Sequence, residues 1–318
     1  MKEKNRKIGK YEIMAKIGEG SFGKVYHVRN VTNNELYALK LETDRDTDYR
    51  QIKNEYEIYK ALRNLRGISE VYDYGEHKGS YYLVMDCYEK NLQKVFEENG
   101  NRFSVETTSK LAIVLIKIFK EIHGRKIILR DFKPENVLIS NEKVYLVDFG
   151  MAKYYINKET GQHIPFITNK KLTGTVRYAS LYTHLGYEQS RRDDLETLLY
   201  TLIFFLKGTL PWVGIKSSQV KKKFQKIADK KESISAKELC KDIPCGENIE
   251  KALIYVKNLG FDEDPDYEKL INYFNLTLKE IGTKNTEINF KLEEISNPIV
   301  QKKNWFRRFI TGIKGCFS

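Results

Sequence analysis

Near its start the chain carries four short β-prone runs in which apolar and polar positions are mixed: YEIMAKIG (11–18), KVYHVRN (24–30), ELYALKLE (35–42) and YYLVMD (81–86). Turn-forming clusters such as TNNE and HKGS punctuate them, so the region from Tyr11 to about Asp86 is predicted to be strand-rich. The spacing changes once inside it. QIKNEYEIYKAL (51–62) sets Ile52, Tyr56, Tyr59 and Leu62 three or four apart and leaves Glu55 beside that stripe, which predicts a single helix.

After Asp86 the period is helical. SVETTSKLAIVLIKIFKEIHG (104–124) places Leu111, Leu115, Ile118 and Ile122 on one face, with Ser104 as N-cap and Gly124 as stop. Further helical runs are predicted at 194–207, 218–230 and 249–258. The expected fold class is α+β: a small β-rich lobe with one main helix, then a larger, mainly helical lobe. Beyond Pro298 the chain ends on the basic and aromatic stretch KKNWFRRFITGIKGCFS, and no internal repeat is visible.

At 318 residues the chain can bury a sizeable core. Its formal net charge of +12 favours acidic partners, among them phosphate-bearing ligands, acidic peptides, nucleic acid and anionic lipid. Nucleic acid is the weaker option, since there is no RNP-type aromatic motif or zinc-finger spacing. Cys87, Cys240, Cys245 and Cys316 form no CxxC pair, and the basic N-terminus has no apolar run behind it. A reducing, intracellular compartment is therefore expected. The apolar run LLYTLIFFL (198–206) is about half of the roughly 20 residues a membrane-spanning helix needs, and reads as a core helix.

Candidate chemistry comes in a fixed order. IGEGSFGKV (17–25) holds Gly18, Gly20 and Gly23 between two strand signals, where backbone amides can approach phosphates without a Cβ in the way. Alone it is equally a glycine-rich hairpin. YALK (37–40) then ends a strand on Lys40, suited to the α- and β-phosphates of ATP, with Glu55 on the following helix to hold it. ILRDFKPEN (128–136) supplies Asp131 to accept the proton of an attacking hydroxyl, Lys133 to neutralise the transferring phosphoryl group and Asn136 for a metal ion. VDFG (147–150) adds Asp148, a chelator for Mg2+ bridging the phosphates. Each piece is weak alone; four in this order point to phosphoryl transfer. Leu129 stands where such loops usually carry His; it can keep the apolar packing while losing the polar contact, and the site reads as working.

On these motifs the chain resembles eukaryotic protein kinases. LTGTVRYASLYTHLGYEQSRRDDLETL (172–198), HIPF (163–166), LPWVGIK (210–216) and FDEDPDY (261–267), with no Ala-Pro-Glu, resemble the casein kinase 1 family. The resemblance implies one bilobal kinase domain over 8–282, with lobes of about 8–86 and 87–282, and a tail at 283–318. It implies a Ser/Thr kinase using ATP and Mg2+ that prefers acidic or already phosphorylated protein substrates. By the family pattern Met85 is the gatekeeper, the backbone of Asp86 and Tyr88 holds adenine, and Ile17, Val25, Ala38, Leu138 and Val147 sandwich the ring. The family's anion site maps onto Arg177, Lys223 and Lys170, and Asp194 would anchor the catalytic loop from a buried helix. On the residues alone, each apolar position is equally ordinary core and VKKKFQK (220–226) equally a solvated or nuclear-import face.

Two other readings stay open at this level. Leu129 motivates a nucleotide-binding pseudokinase or scaffold. The tail motivates attachment to an anionic membrane: as a helix, 302–314 puts Trp305, Phe306, Phe309, Ile310 and Ile313 on one face, and Cys316 is a candidate acylation site. Docking of that face on the protein itself is as good an account. The expected location is cytoplasmic, with peripheral membrane and nuclear placement as alternatives.

Overall fold

The structure is a computed structural model that describes residues 6–20, 23–42, 51–141, 143–283 and 288. In chain order its strands are β1 (Lys7–Ile8), β2 (Tyr11–Gly20), β3 (Gly23–Asn30), β4 (Leu36–Leu41), β5 (Val71–His77), β6 (Ser80–Met85), β7 (Lys90–Asn91), β8 (Ile127–Ile128), β9 (Val137–Ser140), β10 (Lys143–Leu146) and β11 (Lys153–Tyr154). The helices are α1 (Gln51–Ala61), α2 (Leu92–Glu98), α3 (Val105–Gly124), α4 (Leu181–His184), α5 (Arg191–Lys207), α6 (Val220–Ser233), α7 (Ala236–Cys240), α8 (Gly246–Lys257) and α9 (Tyr267–Glu280). Two compact units share them. One takes the described part of Met1–Val95 with Pro134–Gly150; the other takes Phe96–Lys133 and the described part of Met151–Phe290.

The first unit is built on a six-stranded antiparallel sheet of order β1-β2-β3-β4-β6-β5. Period-two alternation gives its two faces different work. Tyr26, Val28, Tyr37, Leu39, Leu41 and Val84 point to one side and form a buried cluster with Ile8, Tyr11 and Ile13. The intervening residues, paired as Val25 with Lys40, Lys40 with Leu83 and Ala38 with Met85, share the opposite face. The pairing of β2 with β3 slips between Lys16 and Gly18, so Ile17 is an extra, bulged residue, the usual device for re-aiming one side chain. A second sheet, β10-β9-β7, belongs to the same unit.

Helix α1 differs in detail from the predicted stripe. Ile52 and Tyr59 are buried as expected, but Ile58 and Glu55 join them, while Tyr56 is half-buried and stacks on Tyr74 with ring centroids 4.4 Å apart. Strand β5 carries no clear alternation because it is the edge of the sheet, with neither face fully covered.

The second unit is helical. α3 begins where predicted, the Ser104 side chain accepting the Thr107 N–H at 3.0 Å. α5 is the central helix: apart from Thr197 and Lys207 its residues are buried all round, the signature of a core helix. Among them Arg192 donates to the Leu259 carbonyl at 3.0 Å, and Arg191 to the Asp262 carbonyl and the Asp264 carboxylate. α9, absent from the sequence expectation, buries Leu270, Ile271 and Phe274 and packs on α3 and α8. Among the described residues no helix is long and apolar enough to cross a membrane. The tail segment 302–318, including Cys316, lies outside the described residues.

Candidate active site

In the first unit the pocket-side residues of the sheet meet α1 and the strand pair β9–β10. Ile17, Val25, Ala38, Met85, Leu138 and Val147 line one cavity, together with Asp86, Cys87, Tyr88, Lys40, Glu55 and Asp148. Every ring-binding and hinge residue implied by the resemblance is thus gathered, and Cys87 is added. The hinge is cross-tied: the Asp86 carboxylate accepts the Tyr72 hydroxyl at 2.7 Å and the Tyr88 hydroxyl at 3.0 Å, and the Asp86 N–H donates to the Glu70 carbonyl at 3.2 Å. The glycines sit in the β2–β3 hairpin, where Gly18 pairs with Val25 and Gly20 with Gly23. Glycine is obligatory at 23, since a Cβ there would lie 2.4 Å from the Leu41 carbonyl oxygen.

Inside the cavity, Lys40 Nζ lies 2.7 Å from Glu55 Oε2 and 2.8 Å from Asp148 Oδ1. The Glu55 side chain is wholly buried and that of Lys40 only 10% exposed. Burial works against the Lys40 ammonium, and the carboxylates of Asp148 and Glu55 outweigh it, holding its pKa above the ordinary lysine value. Burial likewise pushes the Glu55 carboxyl up, against the pull of Lys40. Asp148 adopts a left-handed φ of 64°, and its N–H donates to the Tyr59 hydroxyl at 3.3 Å. The Tyr59 ring meets Phe149 edge-on at 4.8 Å. Asn136 is buried at the end of a 3-10 turn over Pro134–Asn136, its carbonyl accepting the Val147 N–H at 3.0 Å.

The catalytic loop up to Lys133 belongs to the second unit. Asp131 Oδ1 accepts the Thr175 hydroxyl at 2.7 Å, and Lys133 Nζ is 3.7 Å from Asp131 Oδ2. A Cβ on Gly174 would lie 2.5 Å from the Arg130 carbonyl, so only glycine lets the 174–175 segment approach the loop. Asp194, the anchor expected from α5, accepts the Leu129 N–H at 2.7 Å and the Arg130 N–H at 2.9 Å, and so supports Arg130 at its left-handed φ of 70°. Leu129 itself is buried. A histidine from a different place attends the anchor: His123 Nε2 is 2.9 Å from Asp194 Oδ2, and its Nδ1 is 2.7 Å from the Tyr267 hydroxyl. Since an ionised carboxylate only accepts, Nε2 carries the proton and Nδ1 receives the tyrosine's.

The implied anion residues fare differently from one another. Lys223 is exposed on α6. Arg177 is half-buried, its carbonyl accepting Trp212 Nε1–H at 2.7 Å. The wholly buried Lys231 donates to the Val176 carbonyl at 3.3 Å and to that of Ala179; burial pulls its pKa down to about 7 against the opposing charge of Glu196. Lys170 is already engaged, 2.9 Å from Glu188 Oε2, while Lys153 lies 2.8 Å from Oε1.

The sequence profile of the protein kinase domain matches residues 11–271. Casein kinase I homolog 2 of Schizosaccharomyces pombe is 43% identical over 281 residues, covering 86% of this chain and 64% of that protein. Casein kinase I homolog 1 of the same organism is 40% identical over 304 residues, 93% and 67% respectively. Casein kinase I homolog RAG8 of Kluyveromyces lactis is 42% identical over 280 residues, 86% and 52%. The chain belongs to the casein kinase 1 family. Its fold is accordingly the bilobal protein-kinase fold, with a β-rich small lobe and a helical large lobe. The chain spans about half to two thirds of the length of these casein kinase I relatives. Three residues of the site escaped the motif reading: Cys87, Thr175 and His123. Only Thr175 carried a signal, as a hydroxyl beside the glycine of LTGT.

A pH dependence follows from the Glu188 cluster. Burial acts to raise the Glu188 carboxyl, but Lys153 and Lys170 hold it down to about 2, against about 4.3 unfolded. A lowered folded pKa contributes stability that is present above the unfolded value and lost as pH falls from about 4.3 toward 2. Wild type should therefore lose more stability than Glu188→Gln between pH 5 and pH 3, read by urea melts; parallel curves would contradict the assignment.

Proposed function

We propose that the protein is an ATP- and Mg2+-dependent serine/threonine kinase transferring the γ-phosphate of ATP to Ser or Thr hydroxyls of acidic or already phosphorylated proteins. The observation that carries this reading is Lys40, buried between Glu55 and Asp148 in a cavity otherwise lined mostly by apolar side chains. Such a cavity suits a purine ring, and with the Asp86 N–H spent on Glu70, the Asp86 carbonyl and the Tyr88 backbone are the hinge groups for it. Lys40 remains charged and serves the α- and β-phosphates. Asn136 and Asp148 offer the hard oxygen donors that Mg2+ prefers, and among the described residues no cluster of three or more His, Cys, Asp or Glu forms a cage. That fits an ion held by one or two carboxylates and the phosphates. When bound, the ion neutralises charge on the phosphates.

In the transfer itself, the substrate hydroxyl oxygen bonds to the γ-phosphorus as the bond to the β–γ bridging oxygen breaks, and ADP leaves. Asp131 takes the hydroxyl proton. Its Oδ1 accepts the Thr175 hydroxyl, which orients the carboxylate. Lys133 neutralises the moving phosphoryl group. The scaffold alternative rests on Leu129; against it, that residue is packed and its N–H is held by Asp194, so the loop is anchored without a histidine there. Incubation with radiolabelled ATP, Mg2+ and casein is expected to label the casein, and Asp148→Asn or Lys40→Arg to abolish nearly all transfer. Wild type no better than Asp148→Asn would overturn the reading.

Substrate preference rests on Arg177 and Lys223, because Lys170 is half neutralised by Glu188. Arg offers a planar fork for phosphate and Lys a point charge. A phosphoserine about three residues before the target should raise kcat/KM about tenfold or more, as charge-assisted hydrogen bonds of roughly 1.5 to 3 kcal/mol allow. Arg177→Ala with Lys223→Ala should erase that discrimination; equal rates for both peptides in wild type would refute it.

The tail supports a cytoplasmic protein attached peripherally to anionic membrane, with Cys316 as an acylation site, on its sequence pattern alone. Liposomes containing anionic lipid should float the full chain better than one ending at Asn297, and equal flotation would reject this.

A further inference from the structure

On the first unit, away from the nucleotide cavity, residues 56–72 enclose a second cavity of about 440 Å³, within the roughly 300 to 1,000 Å³ of ordinary ligand sites. Its charge is lopsided. Lys60, Arg63 and Arg66 line it against Glu70. The Lys60 ammonium is paired 2.7 Å from Glu57, but the exposed guanidinium groups of Arg63 and Arg66 have no ion pair or hydrogen bond among the described residues. Between these cations the wall mixes aromatic and aliphatic side chains with the polar Asn64 and Ser69, and Tyr72 is 48% exposed. Two unspent guanidinium forks around a wall that is about half apolar fit carboxylates flanking an apolar side chain.

Both ends of this lining are bonded into the nucleotide cavity. At one end Tyr59 receives the Asp148 N–H at 3.3 Å and packs on Phe149. At the other, Tyr72 donates to the Asp86 carboxylate at 2.7 Å, the Glu70 N–H donates to the same carboxylate at 3.2 Å, and the Glu70 carbonyl accepts the Asp86 N–H. An occupant that orders Tyr59 or Tyr72 thereby acts on the residue beside Lys40 and on the hinge.

We propose that this cavity is a docking site for an acidic peptide segment of a partner protein carrying a large apolar side chain, and that its occupation is coupled to nucleotide binding. The coupling clause rests on the ATP reading above; the docking clause does not. Coupling must be reciprocal: peptide changes ATP affinity by the factor by which ATP changes peptide affinity.

The test uses the full chain and a fluorescein-labelled peptide of alternating glutamate and leucine with one central phenylalanine and no Ser or Thr, read by fluorescence anisotropy. Binding should weaken at least tenfold in Arg63→Glu with Arg66→Glu and with the glutamates replaced by lysine, and should weaken less in Arg177→Ala with Lys223→Ala. Undiminished binding in the first variant, a larger loss in the second, or no binding at all overturns the docking site. A DNA oligonucleotide that binds through Arg63 and Arg66 where the peptide does not would assign the cavity to another polyanion and also overturn it. Peptide binding indifferent to saturating ATP, in a chain that demonstrably binds ATP, overturns only the coupling.

Discussion

An ammonium group taken out of water costs several kcal/mol unless carboxylates at bonding distance restore what hydration supplied. Lys40 is in that position, and much of the small lobe follows from it. One carboxylate, Glu55, must come from α1, which packs on β5 and β6, reaches Lys40 on β4 and buries its own acidic side chain completely. The other, Asp148, must turn inward from a left-handed backbone, a conformation that costs of order 1–3 kcal/mol for a non-glycine residue. The Tyr59 hydroxyl, under the Asp148 amide, offsets part of that cost. Removing any of the three charged groups would leave the others buried without their counter-charge, so the arrangement is specified as a set.

The large lobe solves the same problem with backbone groups instead of side-chain counter-charges. Asp194 is buried and takes two consecutive loop N–H groups plus the His123 ring. Those bonds compensate its desolvation and, in doing so, hold Arg130 in its strained conformation directly before Asp131. Lys231 is the amine counterpart, spending its N–H groups on the Val176 and Ala179 carbonyls on either side of Arg177. The loop around Asp131 and the segment that carries Arg177 are therefore positioned by buried ionisable groups whose partners are mostly main chain. The main chain cannot be changed by substitution, so these anchors tolerate variation in the loop side chains, Leu129 among them.

Tyrosine is well suited to the small lobe for a related reason. Its ring fills apolar space while its hydroxyl reaches a polar partner at the edge. Tyr59, Tyr72 and Tyr88 use that combination to tie α1, the sheet edge and the hinge to Asp148 and Asp86. Tyr56, which the spacing puts in the helix's buried stripe, instead stacks on Tyr74 at the surface, because an aromatic ring is satisfied by a partner ring as well as by the core.

Much of this was readable from the chain itself. Strands β2, β3, β4 and β6, helices α1, α3, α5, α6 and α8, the Ser104 cap and the order from the glycine hairpin through Lys40, Glu55 and Asp131 to Asp148 are local or sequential properties. Periodicity and spacing record them, because side-chain direction in a strand or helix depends only on position along it. What required the tertiary structure was which distant groups meet. Lys40 and Asp148 are 108 positions apart and Leu129 and Asp194 are 65 apart; His123 finds its partners on α5 and at Tyr267, and Lys170 is claimed by Glu188 before any substrate anion. Such pairings depend on packing of whole elements. A buried charge takes whatever counter-charge, amide or carbonyl that packing brings within about 3 Å, and no local pattern of residues records the choice.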